Sequence, residues 1–341
     1  MRRITFLIGN GFDINAGLAT RYSDFYEYYY SQYPNDMLAK AVRDDYDFWS
    51  DLEVGLGKYV KDLAESNEEL FFDSKDVMEN ALADYLESQM KRVQIGEEDE
   101  KDIAQEMQKN LRYFYNDFPK MYSEDIKRVI ASVSEQLIYS FISFNYTDTL
   151  DRCVMLTKER LTENIGQHQS GSRMYGDLLG EVLHIHGTTS EELILAVNDE
   201  SQIENERFCS NDLYRQCMIK AEANERLGQN KVADAKNLID GSLIICIFGM
   251  SIGATDKMWW EYICKWLLGE DKRRLIIFAK SEESESRITN RMLFMNQDKI
   301  LNKLKMNSGV SEDEWQVIKK KVYVIFDSPI FNVNVIGNKT T

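Results

Sequence analysis

Four polar stretches of the sequence contain residue types that could bind a small anion or move a proton. Each follows a run of apolar or β-branched residues, as expected where a buried strand ends. The residues are Gly9, Asn10, Gly11 and Asp13; Asn145 and Asp148; His186 and Gly187; and Gly249, Ser251 and Asp256. Because ligands of an open parallel sheet collect outside the carboxyl ends of its strands, we expect all four stretches at one edge of the sheet.

The first stretch, Gly9-Asn10-Gly11, forms a glycine turn between a strand pattern and a helical pattern. Glycines allow backbone amides to approach an anion closely, and the start of a helix favours negative charge. The G-x-G-x-x-G fingerprint of dinucleotide-binding proteins needs a third glycine, however, and that position holds Ile14. The turn therefore predicts either a phosphate-binding loop or only a tight corner after a buried strand.

A second glycine turn surrounds Ser251 and matches G-x-S-x-G, the nucleophile elbow of α/β-hydrolases. In that fold the catalytic histidine follows the serine along the chain, whereas His168, His184 and His186 all precede it. This order disfavours a serine hydrolase that uses Ser251, which we keep as an alternative.

The remaining two stretches also admit structural roles. Asn145 is a residue type that often stabilises turns, and His186 could be a hydrogen-bonded histidine near the core. Each role is ordinary when taken alone. Four polar strand ends at one predicted edge nevertheless favour a shared site.

The elements that position these residues are predicted to be strands and helices in alternation. Long helical patterns separate several strand-like runs, so we predict an α/β fold with a doubly wound, mostly parallel sheet. The runs are "RITFLIGN", "LIYSFISFNY", "EVLHIHG", "ELILAV", "SLIICIFGM", "RRLIIFA" and "KVYVIF". The polar, glycine-rich stretch 166–176 is expected to form a surface connection or a cap over a site.

A long stretch after the first strand has the pattern of helices. Residues 22–135 contain no strand-like run, and aromatic residues and leucines recur there at helical spacing among charged residues. We therefore predict a single α/β domain spanning 1–341, with a large helical insertion at 22–135.

The composition disfavours several classes of partner and site. With a net charge of −16 and a pI near 4.8, the chain would repel a nucleic-acid backbone. No apolar run approaches the roughly 18 residues of a membrane span. The five cysteines include no C-x-x-C pair, which fits a reducing cytoplasm and predicts neither a disulfide framework nor a metal site. We expect a cytoplasmic protein with neither nucleic acid nor membrane as a partner.

Five motifs together resemble the AbiH family of bacterial phage abortive-infection proteins. They are "LIGNGFDINAGLATRYSDF", "FWSDLE", "SFNYTDTLD", "HIHG" and "FGMSIGATDKMWW". The motifs occur in the order of the family and span nearly the whole chain. The resemblance implies a role in phage defence, with a phage-derived trigger as a partner.

A more remote resemblance is to the sirtuin-like NAD-binding fold, which is Rossmann-like. A glycine turn, an asparagine at a strand end and a histidine before glycine follow in the same order. The resemblance implies that NAD is bound as substrate or ligand, with Asn145 and His186 as the catalytic residues. The implied cofactor-binding residues are Gly9, Asn10, Gly11, Asp13, Asp148, Gly187, Gly249, Ser251 and Asp256.

Two features depart from the sirtuin-like pattern. The aspartate expected two residues after Asn145 is Thr147 here, and Asp148 follows it, so the contact to the ribose is left open. The sequence also contains no four-cysteine zinc ribbon, so a protein deacylase is not implied.

The implied reaction is hydrolysis of the bond between nicotinamide and ribose. Its leaving group is cationic in the substrate and needs no proton, so catalysis requires support for an oxocarbenium-like centre and a positioned water. Asn145 could orient that water, and His186 could accept a proton. The same residue types would also serve a nucleotide sensor without turnover. The expected partners are a small-molecule nucleotide and a second copy of the chain.

Overall fold

The computed structural model describes residues 1–191, 193–281, 289–333 and 335. The strands formed by these residues are β1 Arg2–Ile8, β2 Leu137–Ser143, β3 Asn164–Ser170, β4 Arg173–His184, β5 Ser242–Phe248, β6 Arg274–Ala279 and β7 Val322–Phe326. They make one sheet in the order β3-β4-β2-β1-β5-β6-β7. Every neighbouring pair is parallel except β3 and β4. The predicted α/β fold with a mostly parallel sheet is confirmed.

The central strands are apolar at nearly every position. β5 is buried at all seven positions, and β1 pairs in parallel with both β2 and β5. Parallel strands that are covered on both faces have continuous apolar runs of this kind, whereas a strand with one wet face alternates. The strong apolar signal of these strands therefore reflects their central place in the sheet.

The described residues also form fifteen α-helices. Those before β2 are α1 Gly11–Asn15, α2 Tyr22–Gln32, α3 Met37–Asp44, α4 Leu52–Tyr59, α5 Glu68–Met90, α6 Glu97–Arg112 and α7 Lys120–Ala131. Those after β2 are α8 Thr149–Arg160, α9 Glu206–Ser210, α10 Asp212–Met218, α11 Lys220–Arg226, α12 Lys231–Asp240, α13 Lys257–Gly269, α14 Asn290–Ser308 and α15 Glu312–Ile318. None of these described helices is long and apolar enough to cross a membrane.

Helices cover both faces of the sheet. On one face, Phe6 of β1 stacks on Phe141 of β2 in a core shared with α1, α6, α7 and α8. On the other face, Leu7 of β1 shares a core with α12 to α15, to which α13 contributes the buried Trp259 and Trp260. The opposite directions of Phe6 and Leu7 follow from the alternation of side chains along a strand.

The helices between β1 and β2 divide into two groups. α2 to α5, here named the helical block, have a core of their own that includes Phe25, Tyr29 and Phe71 and part of the chain between β4 and α11. α6 and α7 pack on the sheet itself. The helices within 22–135 therefore form both a cover for one face of the sheet and a separate block.

The prediction of a strand at 192–197 is wrong for the described residues 193–197. Leu195 and Val197 are buried in the core of the helical block, and Val197 forms an isolated bridge with Ile219. A short apolar run indicates burial without indicating the partner, and the edge of β4 is already paired with β3. Glu192 lies outside the described residues.

The polar stretch 166–176 is part of an antiparallel hairpin, which corrects the prediction of a surface connection or cap. It contributes most of β3 and the start of β4, and the chain turns at Gly171, whose φ is 59°. β3 is an edge strand with several exposed side chains. An edge strand can be polar because water covers it, so composition alone does not identify it.

The chain order creates a crevice between the ends of β1 and β5. After β1 the chain crosses to the face that α6 to α8 cover, and after β5 it crosses to the face that α13 covers. In open α/β sheets, ligands bind outside the carboxyl ends of the strands at such a switch point. The two glycine turns follow these two strands.

Candidate functional site

The two glycine turns pack against each other at the switch point. The amide of Gly9 donates to the carbonyl of Phe248, and the amide of Gly11 donates to the carbonyl of Gly249, both at 2.9 Å. A Cβ on Gly11 would lie 2.4 Å from the Cα of Gly249. These two amides are therefore engaged within the protein, and the glycines allow the two backbones to touch.

A small cavity of about 110 Å³ lies at the carboxyl ends of β1 and β2, against the helical block. Its lining includes Asn10, Asp13, Tyr22, Asn145 and Tyr146. Among the described residues, Oδ1 of Asp13 and Nδ2 of Asn145 are buried without a hydrogen-bond partner. Buried polar atoms are usually paired, so these two atoms mark the cavity as a candidate place for a polar ligand.

Asp13 is almost completely buried, and its carboxyl group is held by a neighbouring hydroxyl. Thr147 Oγ1 donates to its Oδ2 at 2.6 Å. Burial raises the pKa of Asp13 to about 6, although the hydroxyls of Thr147 and Thr149 favour the charged form. The Asn145 amide acts in the same direction from outside hydrogen-bond geometry. Near pH 6 the carboxyl group can therefore either donate or accept a hydrogen bond.

The loop that carries Asn145 is held by the first histidine of "HIHG". His184, the last residue of β4, donates from Nδ1 to the backbone carbonyl of Asn145 at 3.0 Å. Its Nε2 lies 2.7 Å from Oδ2 of Asp151. Burial alone would lower the pKa of His184, but the Asp151 carboxylate outweighs burial and raises it. His184 thus fixes the end of β2 relative to β4.

Asp148 is directed toward α8 rather than toward the small cavity. It precedes the first residue of α8 and forms an i,i+4 ion pair of 3.2 Å with Arg152. Thr147, which occupies the position of the aspartate in the sirtuin-like pattern, reaches Asp13 instead. The carboxylate that lines the small cavity together with Asn145 is therefore that of Asp13 in α1.

His186 is buried just beyond the end of β4, with 4% of its surface exposed. Its ring packs edge to face with Phe144 and beside Tyr146. Nζ of Lys220 lies 3.1 Å from its Nε2 and 3.2 Å from its Nδ1. Burial, followed by the positive charge of Lys220, holds the pKa of His186 well below its usual value. Gly187 follows with a φ of 77°, which turns the chain away from the sheet.

Lys220 is also paired with Glu53 of the helical block. The Lys220 Nζ and Glu53 Oε1 atoms are 2.6 Å apart, and both side chains are buried. The hydroxyl of Tyr146 donates to the same carboxylate at 2.8 Å. Two buried polar contacts therefore connect α4 to the sheet edge: Glu53 contacts Lys220, and Lys220 contacts His186.

Asp256 lies at the start of α13, where its carboxylate accepts a hydrogen bond of 3.0 Å from Asn198. Burial raises the pKa of Asp256 to about 7 against the opposing effect of Lys220. The hydroxyl of the preceding Thr255 donates to Asp51 of the helical block. The loop after β5 is thus tied to the helical block and to the segment packed against it.

A larger cavity of about 680 Å³ lies on the other side of α1, at the ends of β5 and β6. Gly11, Gly249 and the exposed Ser251 are part of its lining. The cationic side chains in the described lining are Arg21, Lys280, Lys299 and Lys303. The volume is typical of small-molecule sites. The local positive charge favours an anionic ligand, although the chain carries a net charge of −16.

The surroundings of Ser251 do not resemble a nucleophile elbow. In such an elbow the serine occupies a tight turn that leads directly into a helix. Here α13 begins only at Lys257. The three histidines have hydrogen-bond partners other than Ser251; His168, for example, bonds to Asp177 at 2.6 Å. The geometry therefore gives the serine hydrolase alternative no support.

Sequence analysis missed Glu53, Lys220 and Tyr146. Glu53 and Lys220 each stand beside apolar residues, in "WSDLEVGL" and "CMIKAEA". A charged residue within such a stretch is a signal, because charged side chains are rarely buried unless they are paired. The sequence could not show that these two charges, which are far apart along the chain, are each other's partners.

The fold and the site define an α/β protein with a polar pocket at the carboxyl edge of a parallel sheet. The family model described as bacteriophage abortive infection AbiH matches residues 5–278. The match covers most of the chain, and the chain belongs to this family. Membership confirms the resemblance and implies a function in phage abortive infection. No curated protein matches the chain.

Proposed function

We propose that the chain binds NAD or a related dinucleotide at the carboxyl edge of its sheet and hydrolyses the nicotinamide–ribosyl bond during phage defence. The observation that carries this proposal is the small cavity. It contains two buried atoms, Asp13 Oδ1 and Asn145 Nδ2, that have no partner among the described residues. An acceptor and a donor suit a carboxamide such as that of nicotinamide, which has donors on nitrogen and an acceptor on oxygen.

The strand order supports a dinucleotide as the ligand. When the parallel strands are numbered along the chain without β3, their order is 3-2-1-4-5-6. Rossmann-like folds with this order bind dinucleotides across the switch point. A sirtuin-like version of this fold is part of the proposal, because the glycine turn, Asn145 and His186 follow β1, β2 and β4.

The two cavities suit the two ends of such a molecule. The small cavity would take the nicotinamide, and the large cavity would take the adenosine and the phosphates. We assign the phosphates to cations such as Arg21, Lys280 and Lys303. The amides of Gly9 and Gly11 are a poorer choice, because they already donate to the loop after β5.

The reaction breaks the bond between C1′ of the ribose and the nicotinamide nitrogen. The electron pair leaves with the nicotinamide, which becomes neutral, and water adds to C1′ and releases a proton. The products from NAD are nicotinamide, ADP-ribose and a proton. Asn145 would orient the water or the leaving group. We assign the proton to His186, whose imidazole is held neutral. His186 does not line the small cavity itself, but it packs against Phe144 and Tyr146, which do.

The first test is turnover by the purified chain. NAD is expected to release nicotinamide, measured by chromatography with and without phage lysate. His186→Gln is expected to lower kcat by about 10²-fold or more, while NAD binding by calorimetry and the melting temperature are retained. His168→Gln is the matched control, because this buried histidine bonds to Asp177 and to the backbone of Val133.

The alternative of a nucleotide sensor makes a different prediction for the same experiment. A sensor would retain NAD tightly and release no nicotinamide under either condition. Unchanged turnover in His186→Gln would contradict the catalytic assignment. Complete loss of turnover in Ser251→Ala would instead favour the serine hydrolase.

A further inference from the structure

Lys220 is a buried lysine that connects the helical block to the sheet edge. Its backbone amide donates to the carbonyl of Val197, and its side chain lies between Glu53 and His186. The side chain is shielded from water, because only 3% of the surface of Lys220 is exposed. Lysines are almost never buried to this degree unless they are paired, and Glu53 supplies the pairing charge.

The contact with Lys220 restricts the chemistry of the imidazole. An ammonium group has only donors, and a neutral imidazole has one ring nitrogen without a proton, which can accept a hydrogen bond from it. A second proton on the ring would make His186 a cation whose nitrogens lie 3.1 to 3.2 Å from the Lys220 ammonium in a buried site. Repulsion at that distance is strong where water is excluded.

We propose that Glu53 and Lys220 are positioning residues: Glu53 holds Lys220, and Lys220 keeps the imidazole of His186 neutral between turnovers and fixed in orientation. The proposal rests on the proposed function only for the step that the imidazole performs. The contact itself belongs to the folded chain. The helical block, through Glu53, thus completes the site and does not merely cover it.

Several other groups face His186, and each acts differently from Lys220. Burial has the largest effect on the pKa of His186, and Lys220 has the next largest; both lower it. The backbone carbonyl of Phe144 raises the pKa, whereas His184 on β4 and Lys231 on α12 lower it by less than Lys220 does. Lys220 is therefore the dominant charge at the ring.

Tyr146 supports the same arrangement from the end of β2. Its ring packs against the imidazole of His186, and its hydroxyl donates to Glu53. Burial, followed by the charge of Glu53, raises the pKa of Tyr146 well above its usual value, so the phenol stays neutral. The negative charge that balances Lys220 therefore comes from Glu53.

The test follows the histidine ring resonances of the full chain by NMR between pH 5 and 8.5. Glutamine variants of the three histidines assign the signals. The ring of His186 is expected to stay neutral throughout in the parent and in Lys220→Arg. In the double variant Glu53→Gln/Lys220→Met, which removes both charges and leaves none unpaired, the proton affinity of His186 is expected to rise at least tenfold. The ring should then titrate within this range.

Lys231→Met is the matched control for the double variant. It also removes a lysine charge near His186, but Lys231 pairs with Glu191 at 3.7 Å rather than with the ring. The ring is expected to stay neutral in this variant. The proposal is overturned if His186 titrates in the parent, stays neutral in the double variant, or shifts equally in Lys231→Met.

Turnover provides a readout that separates this proposal from the proposed function. If the parent hydrolyses NAD, the acid limb of kcat/KM in the double variant should move to higher pH together with the NMR midpoint. If the parent does not hydrolyse NAD, the proposed function fails. The NMR titration still decides whether Glu53 and Lys220 position His186.

Discussion

Among single residues, Asp13 of the candidate site is expected to lower the stability of the fold, because its buried carboxyl group is costly to ionise. Burial raises the pKa of Asp13 to about 6, above the ordinary value of 3.8. The folded state therefore holds the proton more tightly than the unfolded state does. Ionised Asp13 destabilises the fold above pH 6, and this penalty declines as the pH falls towards 4.

Replacement of the Asp13 carboxyl group should reveal this penalty. Asp13→Asn is expected to raise the free energy of unfolding at pH 7.5 by up to about 3 kcal/mol and to have little effect near pH 4. Urea unfolding at both pH values measures the difference. Asp73→Asn, at an exposed position of α5, is the control and should be neutral at both. A loss of stability in Asp13→Asn at pH 7.5 would show that folding requires the carboxylate.

Residue types and their place after apolar runs were enough to identify Asp13, Asn145 and His186 as candidates. The same pattern also selected Asp148, which turns toward α8, because a one-residue shift after a strand changes where a side chain points. Glu53 and its partner could not be identified in this way. Their role arises from one contact between two helices.

At the scale of elements, the glycines of the two turns are explained by the close packing of one turn against the other. An exposed phosphate-binding loop is not needed to explain them. Gly249 has a φ of 70°, and a Cβ there would lie 2.7 Å from the Cα of Gly11. Gly171, in the β3–β4 turn, has a φ of 59°, and its Cβ would meet nothing within 4 Å in the described structure. The two positions share the left-handed backbone but differ in the space around them.

Alanine at these two glycines should separate backbone strain from steric conflict. Gly171→Ala is expected to lose about 1–2 kcal/mol of unfolding free energy through the left-handed backbone alone. Gly249→Ala must also displace the backbone of the turn after β1, so we expect a loss larger by at least about 2 kcal/mol. Urea unfolding of both variants measures this. Similar losses would mean that the two turns separate easily.

The sequence predicted the apolar strands well and the polar strands poorly. β1, β2, β5 and β6 were evident because strands covered on both faces have continuous apolar runs. The edge strand β7 was evident as well, because four of its five residues are buried. β3 and the start of β4 were hidden because a polar edge strand owes its structure to backbone pairing. The run at 193–197 was misassigned because helices, and not strands, bury it.

At the scale of the whole molecule, hydrogen bonds join the helical block and the segment packed against it to the loop after β5. Asn198 donates to the carbonyl of Thr255 at 2.7 Å and to Asp256 at 3.0 Å. Asp51 of the helical block accepts from the hydroxyl of Thr255. These bonds hold the loop between β5 and α13, whose first residues, Gly249 to Ile252, line the large cavity.

Loss of the Asn198 side chain should loosen this loop locally. Asn198→Ala is expected to speed hydrogen exchange of residues 250–256 by about fivefold, as for a lost bond of about 1 kcal/mol, while β1 and β5 keep their protection. Mass spectrometry of peptides from exchanged protein measures this. Asn211→Ala is the control, because Asn211 accepts from backbone amides at the start of α10 and is not part of the junction. Equal exchange of 250–256 in both variants would show that the hydrogen bonds of Asn198 do not hold this loop.

The central place of β1 has a consequence for how the chain is made. β1 begins at residue 2, and β5, which pairs with one of its edges, begins at residue 242. At synthesis rates of about 5–20 residues per second, the first strand leaves the ribosome roughly 10 to 50 seconds before that partner. An apolar strand with an unpaired edge is prone to aggregation in the meantime. The yield of native protein in a cell should therefore depend on chaperones that bind the nascent chain, as well as on the stability of the finished fold.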